Sequence, residues 1–273
     1  SYAPTKDVTL KANIARGFRA PGIPELSSNG AHEGTNRYEY GDRNLKSETT
    51  LKGDVGVEIG TEHLLFSISA FYNHIDNFIF YSKLSGAQGG DSLVNAEGTM
   101  IPAYKFGQHT ANLPGFEALL DIHPHPLDWL HWENTFSYVR GRFTEAIGDS
   151  KNVPFVPPAK WTSEVKIALF PKASTAKHTS VFAEVVHVFD QNKPFTSFET
   201  ETATPGYTLL NAGISTSISS RDKTLFTVAL LGNNLADVAY QDHLSRLKYT
   251  DVNMVTGRQG VFNRGRNFMI RVN

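Results

Sequence analysis

Several polar groupings in this chain carry the donor atoms of a metal or metal-chelate site. His32-Glu33 sets an imidazole beside a carboxylate, and Asp242-His243 repeats the pair far along the chain. Glu199 and Glu201 add two more carboxylates. Nitrogen and carboxylate oxygen together suit Zn²⁺ or iron, so His32, Glu33 and His243 are the candidate metal ligands. Arg37 offers a guanidinium fork for an anionic chelate, and His109 is a further candidate for ligand contact. Each has a plain alternative: a solvated loop side chain or, for His109, a hydrogen-bonding histidine on a polar face. For Arg16 and Arg19 the stronger reading is structural pairing with carboxylates. His123-Pro124-His125-Pro126 looks like a metal motif, but its prolines make it a tight turn. No nucleophile–base set and no phosphate loop leading from strand to helix is present. Neither catalysis nor a resident cofactor is expected.

The elements that must position these residues are strands. In Lys160–Leu169, one face carries Trp161, Val165, Ile167 and Leu169, and the other carries Thr162, Glu164 and Lys166. A strand sends alternate side chains to opposite faces, so this segment has one oily and one charged wall. The pattern recurs over 8–16, 51–59, 64–83, 115–122, 129–140, 181–189, 210–218, 226–230 and 267–273, about ten strands in all. A bulge is expected near Asp76-Asn77, and residues 86–98 and 141–158 are read as loops. Short turns alternate with long polar loops, so a meander collects the long loops, and the candidate ligands in them, at one end. Membrane barrels have this asymmetry, which soluble sandwiches seldom keep. The expected fold class is therefore all-β, an antiparallel transmembrane barrel segment, with a soluble all-β binding domain and a passive porin as competitors.

Composition agrees. A net charge of -1 over 273 residues lacks the basic surplus of a nucleic-acid binder, so no nucleic-acid partner is expected. The absence of cysteine excludes disulfides and Cys-based zinc sites. No apolar run is long enough for a transmembrane helix. An aromatic content of 11 % suits strands and interfacial girdles. The first residues lack the basic and apolar regions of a signal peptide; if the protein is exported, its N-terminus is expected to lie outside this chain.

Six segments carry a family resemblance. Gly17-Phe18-Arg19-Ala20-Pro21 with Ile23-Pro24-Glu25-Leu26, Asn44-Leu45-Lys46-Ser47-Glu48, and the run from Phe71 to Ile79 resemble motifs of TonB-dependent outer-membrane receptors. So do Gly115-Phe116-Glu117-Ala118, the run from Asn233 to Tyr240, and Gly265-Arg266-Asn267-Phe268, all in family order. Ser47 stands where the family usually has proline, and the chain ends on Val272-Asn273 where an aromatic residue is common. The resemblance implies that residues 1–273 are the C-terminal part of an about 22-stranded barrel, the plug and earlier strands lying outside this chain. It also implies outer-membrane lipid, the receptor's own plug domain and a TonB-type energy-coupling protein as partners, and a metal or metal chelate as ligand. The inner-face charges, among them Glu133, Glu164 and Glu184, would then contact plug or water. Among metal-uptake receptors, Ala31–Thr35, Tyr38–Gly41, Gln191–Lys193, Glu199–Thr202 and Pro205-Gly206 resemble the loops of the outer-membrane zinc receptors. Ferric siderophore, zinc and haem all remain open as ligands.

Overall fold

A computed structural model describes every residue except 36, 171–174 and 221–222. In chain order the strands are β1 (Tyr2–Thr5), β2 (Val8–Arg19), β3 (Asn29–His32), β4 (Arg37–Tyr40), β5 (Glu48–Gly60), β6 (Leu64–Lys83), β7 (Leu93–Ala96) and β8 (Thr99–Ile122). They continue as β9 (Leu130–Val139), β10 (Arg142–Ile147), β11 (Ser150–Asn152), β12 (Lys160–Leu169), β13 (Ala176–Val188), β14 (Tyr207–Ser220), β15 (Lys223–Asn233) and β16 (Asn267–Val272). One short helix, α1 (Ile23–Ser27), follows β2.

The wall is an antiparallel path β1-β2-β5-β6-β8-β9-β12-β13-β14-β15-β16, with β1 and β16 as its edges. Its register keeps the alternation coherent from strand to strand. Val57, Ile68, Ala118, Phe136, Trp161 and His187 are successive partners on one face. Asp121, Glu133, Glu164, Glu184 and Asn211 are successive partners on the other. The first face leaves large apolar groups uncovered, with Ile14 82 % and Ile270 72 % exposed. Its polar atoms find partners locally, as where Trp132 Nε1 donates to Ser163 Oγ at 2.9 Å. The second face is laced with polar contacts. Lys11 Nζ meets Glu58 at 2.6 Å, and Asn211 Nδ2 donates to Glu184 at 2.7 Å.

The antiparallel order places the connections 61–63 and 123–129 at one end. Those between β2 and β5, β6 and β8, β9 and β12, β13 and β14, and β15 and β16 lie at the other. The turn expected over residues 171–178 falls partly outside the described residues, as does the turn expected around 220–222.

β6 spans 20 residues and β8 spans 24. A tilted strand needs about 9–11 residues to cross a bilayer, so this pair projects well beyond the rest of the wall at the long-loop end. The register shifts between Ile75 and Phe78, where Asn77 takes φ 55°, so the bulge lies where it was expected. β8 runs unbroken from Thr99 to Ile122, starting well before the strand read over 115–122 in the sequence.

The segments read as loops are more ordered than expected. β7 pairs with β8, β10 with β8 and β11, and β4 runs parallel to β8. These strands are three to six residues long. That is too short for a periodic signal; they pair because the projecting β8 offers its edge.

The main apolar core also sits at this end: Phe80, Ala111, Phe143, Val153 and Phe195 pack together, with Phe78, Leu113, Ile147 and Val156 around them. The rings of Phe80 and Phe143 lie 4.9 Å apart, and Phe195 meets both edge-on at 6.0 Å.

Val165→Arg on the apolar face is expected to cost roughly 2–4 kcal/mol of barrel stability, whereas Thr162→Arg on the polar face costs little. Denaturant titration of the whole receptor in lipid vesicles, followed by heat-modifiable migration, distinguishes the two.

Candidate ligand-capture site at the long-loop end

Three of the motif segments meet at the rim of the wall. Arg19, the last residue of β2, donates to both oxygens of Glu25 at 2.9 Å and from Nε to Glu48 at 2.7 Å. Glu25 also accepts the Gly22 amide at 2.7 Å, and Glu48 accepts the Ile79 amide at 2.6 Å. One arginine thus ties together the segments 17–26, 44–48 and 71–79. The Gly115 motif serves packing, because the Phe71 ring lies where a Cβ would project. At the far end, Asn234 exchanges two 2.9 Å bonds with the backbone of Val238, and Asp237 accepts the Arg266 amide at 2.8 Å.

Above this rim the loops are stacked into one body. The Arg37 guanidinium lies 3.9 Å from the centre of the Tyr81 ring. Tyr81 lies 4.5 Å from Phe155, and the Arg246 guanidinium lies 3.9 Å from the centre of the Phe155 ring. Cation–aromatic contacts of this kind gain strength when desolvated. The stack joins the loop after β2, the projecting β6, the loop after β9 and the last long loop. Burial pushes the neighbouring Tyr104 phenol up to about 12 despite nearby Arg37, so it stays neutral.

Glu201 is the centre of the assembly and is 2 % exposed. Its carboxylate accepts the amides of Phe155 and Phe195 at 3.1 Å and faces Arg246 at 3.3 Å. His243 Nε2 lies 3.4 Å away without hydrogen-bond alignment, so that contact is mainly electrostatic. On the other side of its ring, Nδ1 sits 2.8 Å from Thr204 Oγ1 and 3.3 Å from Lys248 Nζ. Burial alone raises the Glu201 pKa, but the His243 contact and the amides of Phe195 and Phe155 outweigh it and hold the carboxyl below its ordinary value of 4.5. Nearby, Ser197 Oγ donates to Asp149 at 2.7 Å and holds that carboxyl below its usual range. Gly260 permits the closure of the last loop: its φ of 75° suits glycine, and the Lys248 carbonyl occupies the place of a Cβ.

The structure distributes the sequence candidates unevenly. His32 is exposed at the end of β3, with Nδ1 3.1 Å from Thr35 Oγ1. Glu33 begins the short turn Glu33–Thr35. Arg37 is buried and donates to Glu39 at 2.6 Å. His109 lies within β8, its ring 5.6 Å from Phe143. Glu199 is exposed in the turn Ser197–Glu199. Glu201 and His243 are brought together, while His32 and His243 share no contact.

Arg246, Lys248, Phe155 and Tyr81 complete the network and were not singled out in the sequence. Each is remote in sequence from its partners, so no spacing pattern could mark it. Arg140 was missed too. Its Nε is buried with no hydrogen-bond partner. Arg140 lines a cleft of about 200 Å³ with Tyr138, Asn152, Gln191 and Lys193. The cleft adjoins a larger one of about 460 Å³, among Asn73, Glu117, Lys160 and Asp242, that reaches the charged face of the wall.

Residues 1–235 match the family described as TonB dependent receptor-like, beta-barrel. The chain belongs to that family. The barrel of a TonB-dependent receptor is an outer-membrane structure. The chain is 29 % identical over 166 residues to the ferric enterobactin receptor of Pseudomonas aeruginosa, covering 56 % of this chain and 21 % of that protein. Among solved structures, the copper transporter OprC superposes with a TM-score of 0.74 at 17 % identity, covering 98 % of this chain and 37 % of OprC. The FrpB iron transporter from Neisseria meningitidis gives 0.64 at 13 % identity, covering 99 % of this chain and 37 % of FrpB. At these identities the structures show the fold alone. The chain thus spans well under half the length of these relatives.

Because the Glu201 pKa is lowered on folding, its stabilising contribution is present in full above about pH 4.5 and is lost as pH falls through the lower folded value. Glu201→Ala strands Arg246 and two amides, and is expected to cost about 3–5 kcal/mol of loop stability. Hydrogen-exchange protection factors at Phe155 and Phe195, taken relative to intrinsic rates at each pH, should fall in the variant, and in the parent as the medium turns acid, while the wall strands remain protected.

Proposed function

We propose that this chain is the loop-bearing part of the barrel of an outer-membrane receptor that takes up an anionic metal chelate of the ferric-siderophore kind. The carrying observation is the cleft beneath the locked loops. It is lined by Arg140, whose buried Nε has no hydrogen-bond partner, and by Lys193, beside Tyr138, Asn152 and Gln191. Cations beside an aromatic ring and amides suit a large, negatively charged, ring-bearing chelate. They suit a bare divalent cation poorly. Family membership and the similarity to a ferric enterobactin receptor support the same reading.

In this reading the apolar face of the wall lies against outer-membrane lipid. The loops receive the chelate, and the adjoining cleft leads it towards the charged inner face. A plug domain closes the lumen, and a TonB-type protein acts on the plug from the periplasm. The stacked loops contribute preorganisation: a mouth already held in shape spends little binding energy on ordering itself.

The double substitution Arg140→Ala, Lys193→Ala is expected to weaken binding of a ferric catecholate to the whole receptor by about 10–100-fold, the loss of one or two charge-assisted hydrogen bonds. Equilibrium binding to outer-membrane preparations measures this, with heat-modifiable migration confirming a folded barrel. Unchanged affinity in a folded variant rejects the chelate-cleft assignment. Loss of zinc uptake on replacing His32 and His243, with chelate binding unaffected, would instead favour a free metal ion as cargo.

A further inference from the structure

The geometry points to a cation site at the short-turn end of the wall, remote in the fold from the ligand-capture loops: Asp121, His123 and His131 form a binding site for a zinc-class divalent transition ion. Among the described residues these are the one group of three carboxylate or imidazole side chains whose donor atoms all lie within 4.8 Å of one another. Asp121 and His123 are two positions apart, so the alternation of β8 sends both to the charged face. β9 returns alongside, and its pairing of Trp132 with Ile122 places His131 next to His123. The two imidazole rings lie 5.4 Å apart.

Two observations mark the triad as a site. First, Asp121 Oδ1 and His123 Nδ1 are both buried and have no hydrogen-bond partner. An unpaired buried acceptor and an unpaired ring nitrogen are costly to leave so, and a shared cation satisfies both. Second, the spacing is suitable. His123 Nδ1 and Asp121 Oδ2 are 3.6 Å apart, close to the roughly 3.4 Å edge of a tetrahedron with zinc bonds of about 2.05 Å.

The surroundings favour a cation. Glu133 is the register partner of Asp121, and Glu164 and Glu184 continue the row on the next two strands. Lys166, the partner of His131, is the opposing charge on the neighbouring strand. Two nitrogens and one oxygen select Zn²⁺, Ni²⁺ or Cu²⁺ over Ca²⁺ and Mg²⁺. Three protein donors leave a fourth position for water or an exchanging ligand, so the site holds its ion reversibly. The His-Pro-His-Pro turn therefore has a divided role. His123 supplies a ligand, while His125 stacks on His63 at 5.5 Å outside the triad.

The test uses the whole metal-stripped receptor in detergent, titrated with zinc chloride and followed by metal analysis and zinc-edge X-ray absorption. The expected result is one bound zinc per chain that His131→Gln or Asp121→Asn removes, with affinity falling by at least about 100-fold, and that His125→Gln leaves in place. Histidine-selective acylation of the unsubstituted protein provides a measurement independent of variant folding: zinc should protect His123 and His131 but not His125. Equal zinc content and spectra in parent and His131→Gln, or acylation of His123 and His131 indifferent to zinc, overturns the assignment.

Discussion

A β-strand turns successive side chains to opposite faces, and a slip of one residue between neighbours would exchange those faces completely. The wall holds its register over eleven strands, so Ile68, Phe136 and Trp161 stay on one side and Asp121, Glu133 and Glu164 on the other. The rest of the molecule depends on this. The apolar face can be uncovered only because it is continuous, and the acidic row exists only because four strands agree on its height. Asp121 and His131 meet for the same reason. Local register shifts occur as well, and the one at Asn77 re-aims β6 just where it leaves the wall.

Antiparallel order then separates the two ends into different kinds of structure. At the short-turn end little chain is available, and polar groups meet through strand pairing alone. At the long-loop end the projecting β6 and β8 form a scaffold on which other segments pair and pack. The apolar cluster around Phe143 and the carboxylate of Glu201 divide the task of holding that assembly. The cluster supplies non-directional burial. Glu201 supplies direction, since it binds two amides and an arginine from three separate stretches of chain. A ligand mouth needs both, because loops without a core would have to be ordered by the ligand itself.

Charge has opposite uses along the chain. Arg19, Arg37 and Arg246 are consumed by carboxylates and rings, and act as internal fasteners. Arg140 lines a cleft, with a buried Nε that has no hydrogen-bond partner. Residue type therefore says little about role. A guanidinium in a loop is a fastener or a receptor according to whether the fold has already supplied it with a partner.

The sequence by itself determined the strand positions, the bulge, the two faces and the asymmetry of the connections, and its ordered motifs pointed to the family. These features are local or periodic: alternation, turn residues and loop length are written in neighbouring positions. The short strands β3, β4, β7, β10 and β11 were not legible, because each is too brief for a period and pairs only where β8, or the partner β8 recruits, offers an edge. The same limit applied to the sites. His243 and Glu201 were visible as candidates, but their mutual contact, the stack of Arg37, Tyr81, Phe155 and Arg246, and the place of Arg140 in the cleft were decided by the tertiary structure. Those contacts join residues tens to hundreds of positions apart, and only the folded register brings them within reach.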